Sequence, residues 1–251
     1  MEPQALLDTQ GPIATLTLNR ADAHNAMSIA MLQAAHECMD TLDAMDTKPT
    51  VLVITGAGRS FCAGMDLKEV IIEDDASIPR QLLETLARLT HRIRLFPAVT
   101  LARVNGAAIG GGCGLSTVCD ISITHADAKL GFPEVDLGLC PAVVAPWLVR
   151  KIGAGKARQV LLTGGLMSGT RAAEFGIVTH AVETREELDE TVKGAAAALA
   201  TGGPDALRAT KSLLNELDGS TDLDILLEAA ALSASVLSTE DAQNRLKSRQ
   251  K

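Results

Sequence analysis

Two glycine-rich runs carry the groups best suited to chemistry through the main chain: Gly56 to Gly64, and Gly106 to Gly114 with Gly110-Gly111-Gly112 at its centre. Glycine lets the backbone approach a ligand closely, and a glycine run that opens a helix leaves N–H groups without intrahelical partners. Two such loops could aim two N–H donors at one carbonyl oxygen, which is an oxyanion hole. The same glycines could serve close packing of strand on helix, and spacing alone leaves both readings open.

Other chemistries fail on particular residues. A dinucleotide turn over Gly56-Ala57-Gly58 needs a third glycine where Phe61 stands. A phosphate-binding loop over Gly106 to Gly112 needs lysine where Gly112 stands. There is no Gly-x-Ser-x-Gly elbow for a serine nucleophile. The five histidines (24, 36, 91, 125 and 180) have no metal-ligand spacing, so no metal is expected. Cys62 and Cys113 lie in the two loops and read as small buried hydrophobes rather than nucleophiles.

The elements that must position the loops form an α/β pattern. Ala5 to Arg20 reads as a β-hairpin around Gln10-Gly11-Pro12. Ser28 precedes a helical face of Ile29, Leu32, Ala35, Met39 and Leu42. Val51 to Ile54 is a continuous apolar run, read as a strand buried on both faces, and it feeds the first glycine loop. A helix from about Ile78 to Leu95 stops before Pro97, and the strand Val99 to Val104 feeds the second loop. Ile121 to Thr124 alternates like a further strand. From about Arg185 the pattern is helical, with helices over Leu188–Leu199, Asp205–Leu217 and Asp222–Leu237, the last capped by Asp222. The chain thus divides into a body over 1–190 and a helical region over 191–251, interrupted by Gly202-Gly203-Pro204. The basic residues of the last seven positions read as a solvated end.

Composition narrows the function. The chain has 251 residues, 47% hydrophobic and 22% charged, which suits a globular protein with a full core. Its net charge is −8 and its aromatic content 2%, against a nucleic-acid or anionic-membrane partner. Five cysteines without a Cys-x-x-Cys pair fit a reducing compartment. No signal peptide or membrane span is read, and the expected location is cytoplasmic.

The motifs taken in order resemble the crotonase superfamily, the enoyl-CoA hydratase/isomerase family. They are Asn19-Arg20 and Asn25-Ala26; Thr55-Gly56-Ala57-Gly58-Arg59-Ser60-Phe61-Cys62-Ala63-Gly64-Met65-Asp66-Leu67; and Val104-Asn105-Gly106 through Gly112. Cys119-Asp120, Phe132-Pro133-Glu134-Val135-Asp136-Leu137-Gly138, Leu161 to Gly164 and Ala172 to Val178 complete the set, so the likeness spans the whole chain. It implies a spiral of ββα turns with a C-terminal helical region that builds homotrimers or homohexamers. It also implies an acyl-CoA thioester as substrate, with coenzyme A part of that substrate and no further cofactor.

By position, the backbone N–H groups of Met65 and Gly111 match the family's oxyanion hole. His24, Ala26, Ala63, Asp66, Leu67 and Pro133 match substrate-binding positions, together with Met65 and Gly111. The family's hydratases carry two glutamates: Glu134 matches the second, and Gly114 stands where the first would be. Ala142 takes the place of an acid used by some members, and Asp136 need not be catalytic. The resemblance therefore implies hydration of a 2-enoyl-CoA, with a methylglutaconyl-CoA-like branch in view. Isomerisation of a 3-enoyl-CoA to the 2-enoyl form is the alternative, and an acyl-CoA-binding protein without activity is the alternative of another class.

Overall fold

The computed structural model describes residues 2–71 and 77–249. A hairpin, β1 (Ala5–Gln10) and β2 (Ile13–Leu18), opens the chain, and Gly11 turns it at φ +59°. Ser28 caps α1 (Ile29–Ala44) by accepting from the Met31 amide. β3 (Val51–Gly56), the short α2 (Leu67–Val70), α3 (Ser77–Leu95) and β4 (Val99–Val104) follow. Next come β5 (Ala108–Ile109), α4 (Gly111–Val118), β6 (Ile121–His125) and β7 (Lys129–Gly131). The chain continues through α5 (Ala145–Thr163), β8 (Leu166–Ser168), α6 (Gly169–Phe175) and β9 (His180–Val182). It ends in α7 (Arg185–Ala200), α8 (Pro204–Leu217), α9 (Leu223–Leu237) and α10 (Glu240–Arg249).

Six strands form one sheet in the order β1-β2-β3-β4-β6-β9, parallel throughout except for the β1–β2 hairpin. A second sheet, β5-β7-β8, pairs β5 with β7 in parallel and β7 with β8 antiparallel. The central strands are buried on both faces. Leu52 and Ile54 of β3, with Ala102 and Val104 of β4, face the main core. Val51 and Val53, with Leu101 and Ile123, face a smaller cluster covered by Leu188, Val192 and Ala196 of α7. That two-sided burial explains the unbroken apolar runs in the sequence.

α7 begins with a capping box: Thr184 accepts from the Glu187 amide while the Glu187 carboxylate accepts from the Thr184 amide. α9 lies against α3 and sends Leu226, Ala230 and Ala234 into the main core. Asp222 caps it, as the sequence indicates, accepting from Asp224 and Ile225. The basic side chains Arg245 and Lys247 are exposed, as a solvated end requires, and Arg245 pairs with Asp241. They lie on α10, whose Ala242 and Leu246 are buried with Val70, Leu139 and Leu237. Among the described residues no helix is long and apolar enough to cross a membrane.

Candidate active site

The first glycine loop is held from both sides. Buried Asn25 donates to the carbonyls of Ala57 and Ser60. Asn105, buried at the end of β4, accepts from Thr55 Oγ1 and the Gly56 amide and donates to the carbonyls of Gly58 and Ser60. Beyond Ser60 the backbone runs extended between two neighbours. Cys62 donates to the Ala107 carbonyl and accepts from Ile109. On the other side Ala63 donates to His24, Met27 to Gly64, and Asp66 to Met27. This pairing turns the Met65 N–H away from Met27, and among the described residues it has no acceptor.

The second loop places the other donor. Gly110 donates to the Gly131 carbonyl at 2.8 Å and takes φ +55°, a conformation that L side chains rarely adopt. That bend starts α4, whose first residue is Gly111. Its N–H also has no acceptor among the described residues, as the first turn of a helix dictates. The glycines of this loop serve close packing as well. A Cβ on Gly112 would meet the Cys62 carbonyl at 2.3 Å, and one on Gly111 would meet Met27 Cε at 2.5 Å. Close packing, one of the two readings left open by the spacing, therefore holds at Gly111 and Gly112, while the Gly111 N–H stays open to a ligand.

Opposite the amides stands Glu134, on a short turn after β7 whose Leu137 and Leu139 amides donate to the Glu134 carbonyl. The carboxyl is 8% exposed, and its Oε2 has no hydrogen-bond partner among the described residues. Burial, with Asp136 close by, pushes its pKa up to about 7. Asp136 itself accepts from the Gly165 amide at 2.9 Å, so it pins the 164–165 loop.

Two adjoining cavities meet at Met65, Gly111 and Glu134. The larger, of about 190 Å³, is also lined by Ala63, Leu67 and Pro133. The narrower recess, of about 20 Å³, is walled by Leu83 and Leu86 of α3, by Val143 and Val144, and by Ser233 of α9. Six positions singled out in the sequence thus share one cleft. Three others lie outside its lining. His24 is exposed, with Nδ1 3.2 Å from Ser60 Oγ. The Ala26 carbonyl accepts from Arg20, and the Asp66 carboxylate pairs with Arg20 at 2.9 Å while capping α2.

Sequence reasoning missed Asn25 and Asn105 as the residues that fix the loop, although both stand inside the quoted motifs. It also missed Val144 and Ser233, which arrive from distant segments. Gly114 faces Val144: a Cβ there would lie 2.2 Å from Val144 Cγ1. Burial pushes the Cys62 and Cys113 thiols up to about 12, as inert small hydrophobes require.

Two free amides facing a buried carboxyl across a mostly apolar cleft can hold an oxygen as it gains charge while a proton moves on the carbon beside it. Fold and cleft together define a crotonase-type α/β protein. A family model described as "Enoyl-CoA hydratase/isomerase" matches residues 8–250, and the chain belongs to that family. It is 32% identical over 214 residues to the 2,3-dehydroadipyl-CoA hydratase of Escherichia coli, covering 85% of this chain and 82% of that protein. A crystal structure of an enoyl-CoA hydratase from Mycobacterium smegmatis superposes with a TM-score of 0.81 at 30% identity, covering 93% of this chain and 90% of the other. A second, of an enoyl-CoA hydratase from Bacillus halodurans, gives a TM-score of 0.89 over 98% of this chain and 99% of the other at 23% identity, a likeness of fold. The activity is accordingly of the enoyl-CoA hydratase/isomerase type, on an acyl-CoA thioester.

Proposed function

We propose that the protein hydrates a 2-enoyl-CoA, with the Met65 and Gly111 amides as the oxyanion hole and Glu134 as the single proton carrier. The observation that carries this is the convergence of both free N–H groups and the Glu134 carboxyl on one cleft. The ionised carboxylate takes a proton from water as the oxygen bonds to the β-carbon. The electron pair of the double bond moves onto the thioester oxygen, where the two amides hold it. Glu134 then returns its proton to the α-carbon. A pKa near 7 suits a group that must act as base and then as acid near neutrality. The CoA portion would run past Ala63, Leu67 and Pro133 toward Asp66, Ala26 and His24.

A second reading has its own support. Val144 fills the space beside Gly114, so the recess offers an apolar wall where another carboxylate would stand. One carboxylate suffices to move a proton between carbons of a 3-enoyl-CoA. Incubation with a panel of 2-enoyl- and 3-enoyl-CoA thioesters, read by product mass, decides. Hydration adds one water, isomerisation leaves the mass unchanged, and binding without any product makes this an acyl-CoA-binding member.

The helical region over 191–251 is proposed to assemble three or six chains. Leu213, Leu214 and Leu217 of α8 and Ile225 and Leu232 of α9 are exposed, an apolar surface that favours burial against another copy. The net charge of −8 supports a chain without nucleic-acid partners, and a cytoplasmic setting is proposed with it.

A further inference from the structure

α4 has the Gly111 amide at one end and a cation-lined cavity at the other. Where the helix stops at Val118, a cavity of about 170 Å³ opens between Arg94, Arg150, Lys151, Trp147, Asp120 and Cys119. Two donors here lack partners. The indole Nε1 of Trp147 is buried without an acceptor among the described residues, and the whole side chain is 2% exposed. Arg150 Nη1 is likewise buried and unpaired, while its other nitrogens donate to the Asp218 and Gly219 carbonyls.

The charges are unbalanced. Arg94, Arg150, Lys151 and, just outside, Lys211 meet three carboxylates, Asp120, Asp218 and, beside Arg150, Asp222. Asp120 pairs with Lys211 and Arg94, and Asp218 pairs with Arg94. Lys151 has one acceptor, the Cys119 carbonyl at 3.0 Å. In a chain of net charge −8 this excess is local, and it sits where an unpaired indole N–H also points to an acceptor. Burial pulls the Lys151 and Arg150 pKa values down and Arg94 adds to it, while Asp120 near Lys151 and Asp218 and Asp222 near Arg150 offset it in part.

We infer that this cavity is a binding site for a small oxyanion of phosphate or carboxylate type, apart from the acyl-CoA cleft. Trp147 Nε1 and Arg150 Nη1 donate to its oxygens, and Lys151 supplies the nearest uncommitted charge. Arg150 also lies over the Trp147 ring, 5.1 Å from its centroid, so a ligand that draws the guanidinium changes the environment of the indole.

The chain's single tryptophan and absence of tyrosine make intrinsic emission a reporter of this cavity. The experiment titrates the 251-residue protein with inorganic phosphate, acetate or chloride at matched ionic strength. Phosphate, acetate or both should give a saturable change with half-saturation at about 1–10 mM, and chloride should not. The responding anion distinguishes a phosphate from a carboxylate ligand. Lys151→Met should weaken binding at least about tenfold, while Glu134→Gln binds the anion as wild type does. Arg150 also supports the turn at 218–219, so Trp147→Phe, read by calorimetry, serves as the second variant and should lose the same binding heat. Saturation by neither oxyanion, an equal response to chloride, or unchanged binding in both Lys151→Met and Trp147→Phe would overturn the assignment.

Discussion

Glu134 rests against the bare Cα of Gly110: a methyl group built there would stand 2.8 Å from Oε1. The glycine that turns the chain into α4 also leaves room for the carboxyl. Gly110→Ala should therefore fail twice, through a φ of +55° and through displacement of Glu134. Turnover should fall at least about 10²-fold, the scale for a mispositioned acid/base group. Calorimetry should find the protein folded, with a melting temperature a few degrees lower.

Glu134→Gln should lower kcat at least about 10²-fold and leave acyl-CoA affinity within a few-fold. In the wild type, kcat/KM should rise as pH rises through about 7, because in the proposed reaction the ionised carboxylate acts first, and the variant should lack that inflection. Stability carries the opposite sign. A carboxyl whose folded pKa is raised holds its proton more tightly in the fold. Its contribution is complete below about 4.5 and is lost as pH rises through about 7. At 1.36 kcal/mol per unit, the loss approaches roughly 3 kcal/mol. Denaturant melts should show Glu134→Gln gaining on the wild type between those pH values and holding a constant lead above them.

Gly114→Glu by itself should not add hydration. The new Cβ would stand 2.2 Å from Val144 Cγ1, and overpacking of that kind costs about 1–3 kcal/mol or more. The single variant should melt lower and turn over more slowly. Combined with Val144→Gly, which empties the space, it should raise the ratio of hydration to isomerisation on a short 2-enoyl-CoA, read by product mass.

The sequence disclosed those parts of the molecule whose signal is local. β3 and β4 are buried on both faces and wrote themselves as apolar runs, and Ser28 and Asp222 announced their helices through capping chemistry. β5, β7, β8 and β9 span two or three residues, too few to display any period. α5 hid behind Pro146, Gly153 and Gly155, and Gly153 does break its backbone at φ +78°. In the cleft, Met65, Gly111 and Glu134 were legible through their motifs. Val144 was not, because its meeting with Gly114 joins positions thirty residues apart through packing alone.

Asn105→Ala should remove four hydrogen bonds from the first loop, two of them received from Thr55 and Gly56. The Ser60 carbonyl keeps Asn25 and Thr55 keeps the Arg103 carbonyl, so the loss should be about 1–3 kcal/mol. Denaturant unfolding measures that loss. A higher KM beside a lower kcat would trace it to the loop that carries the Met65 amide.

Leu217 is 75% exposed and shares one face of α8 with Leu213 and Leu214. If that face joins copies, Leu217→Glu should drop the mass seen by light scattering from a multiple of 26.2 kDa toward that of one chain. Unchanged mass in both proteins would move the contact elsewhere.

Ser233 binds the wall of the recess from the far end of the chain: its hydroxyl donates to the Cys140 carbonyl and accepts from the Ala142 amide, across 93 and 91 positions. During synthesis the two glycine loops and Glu134 leave the ribosome well before α9 does. The recess can close only after that helix has docked on α3. A chain stalled or clipped before Leu223 would hold Met65, Gly111 and Glu134 in an unfinished chamber and expose the apolar flank of α3, a marker for disposal by proteases. If the cleft acts as proposed, the onset of activity waits on that one docking event.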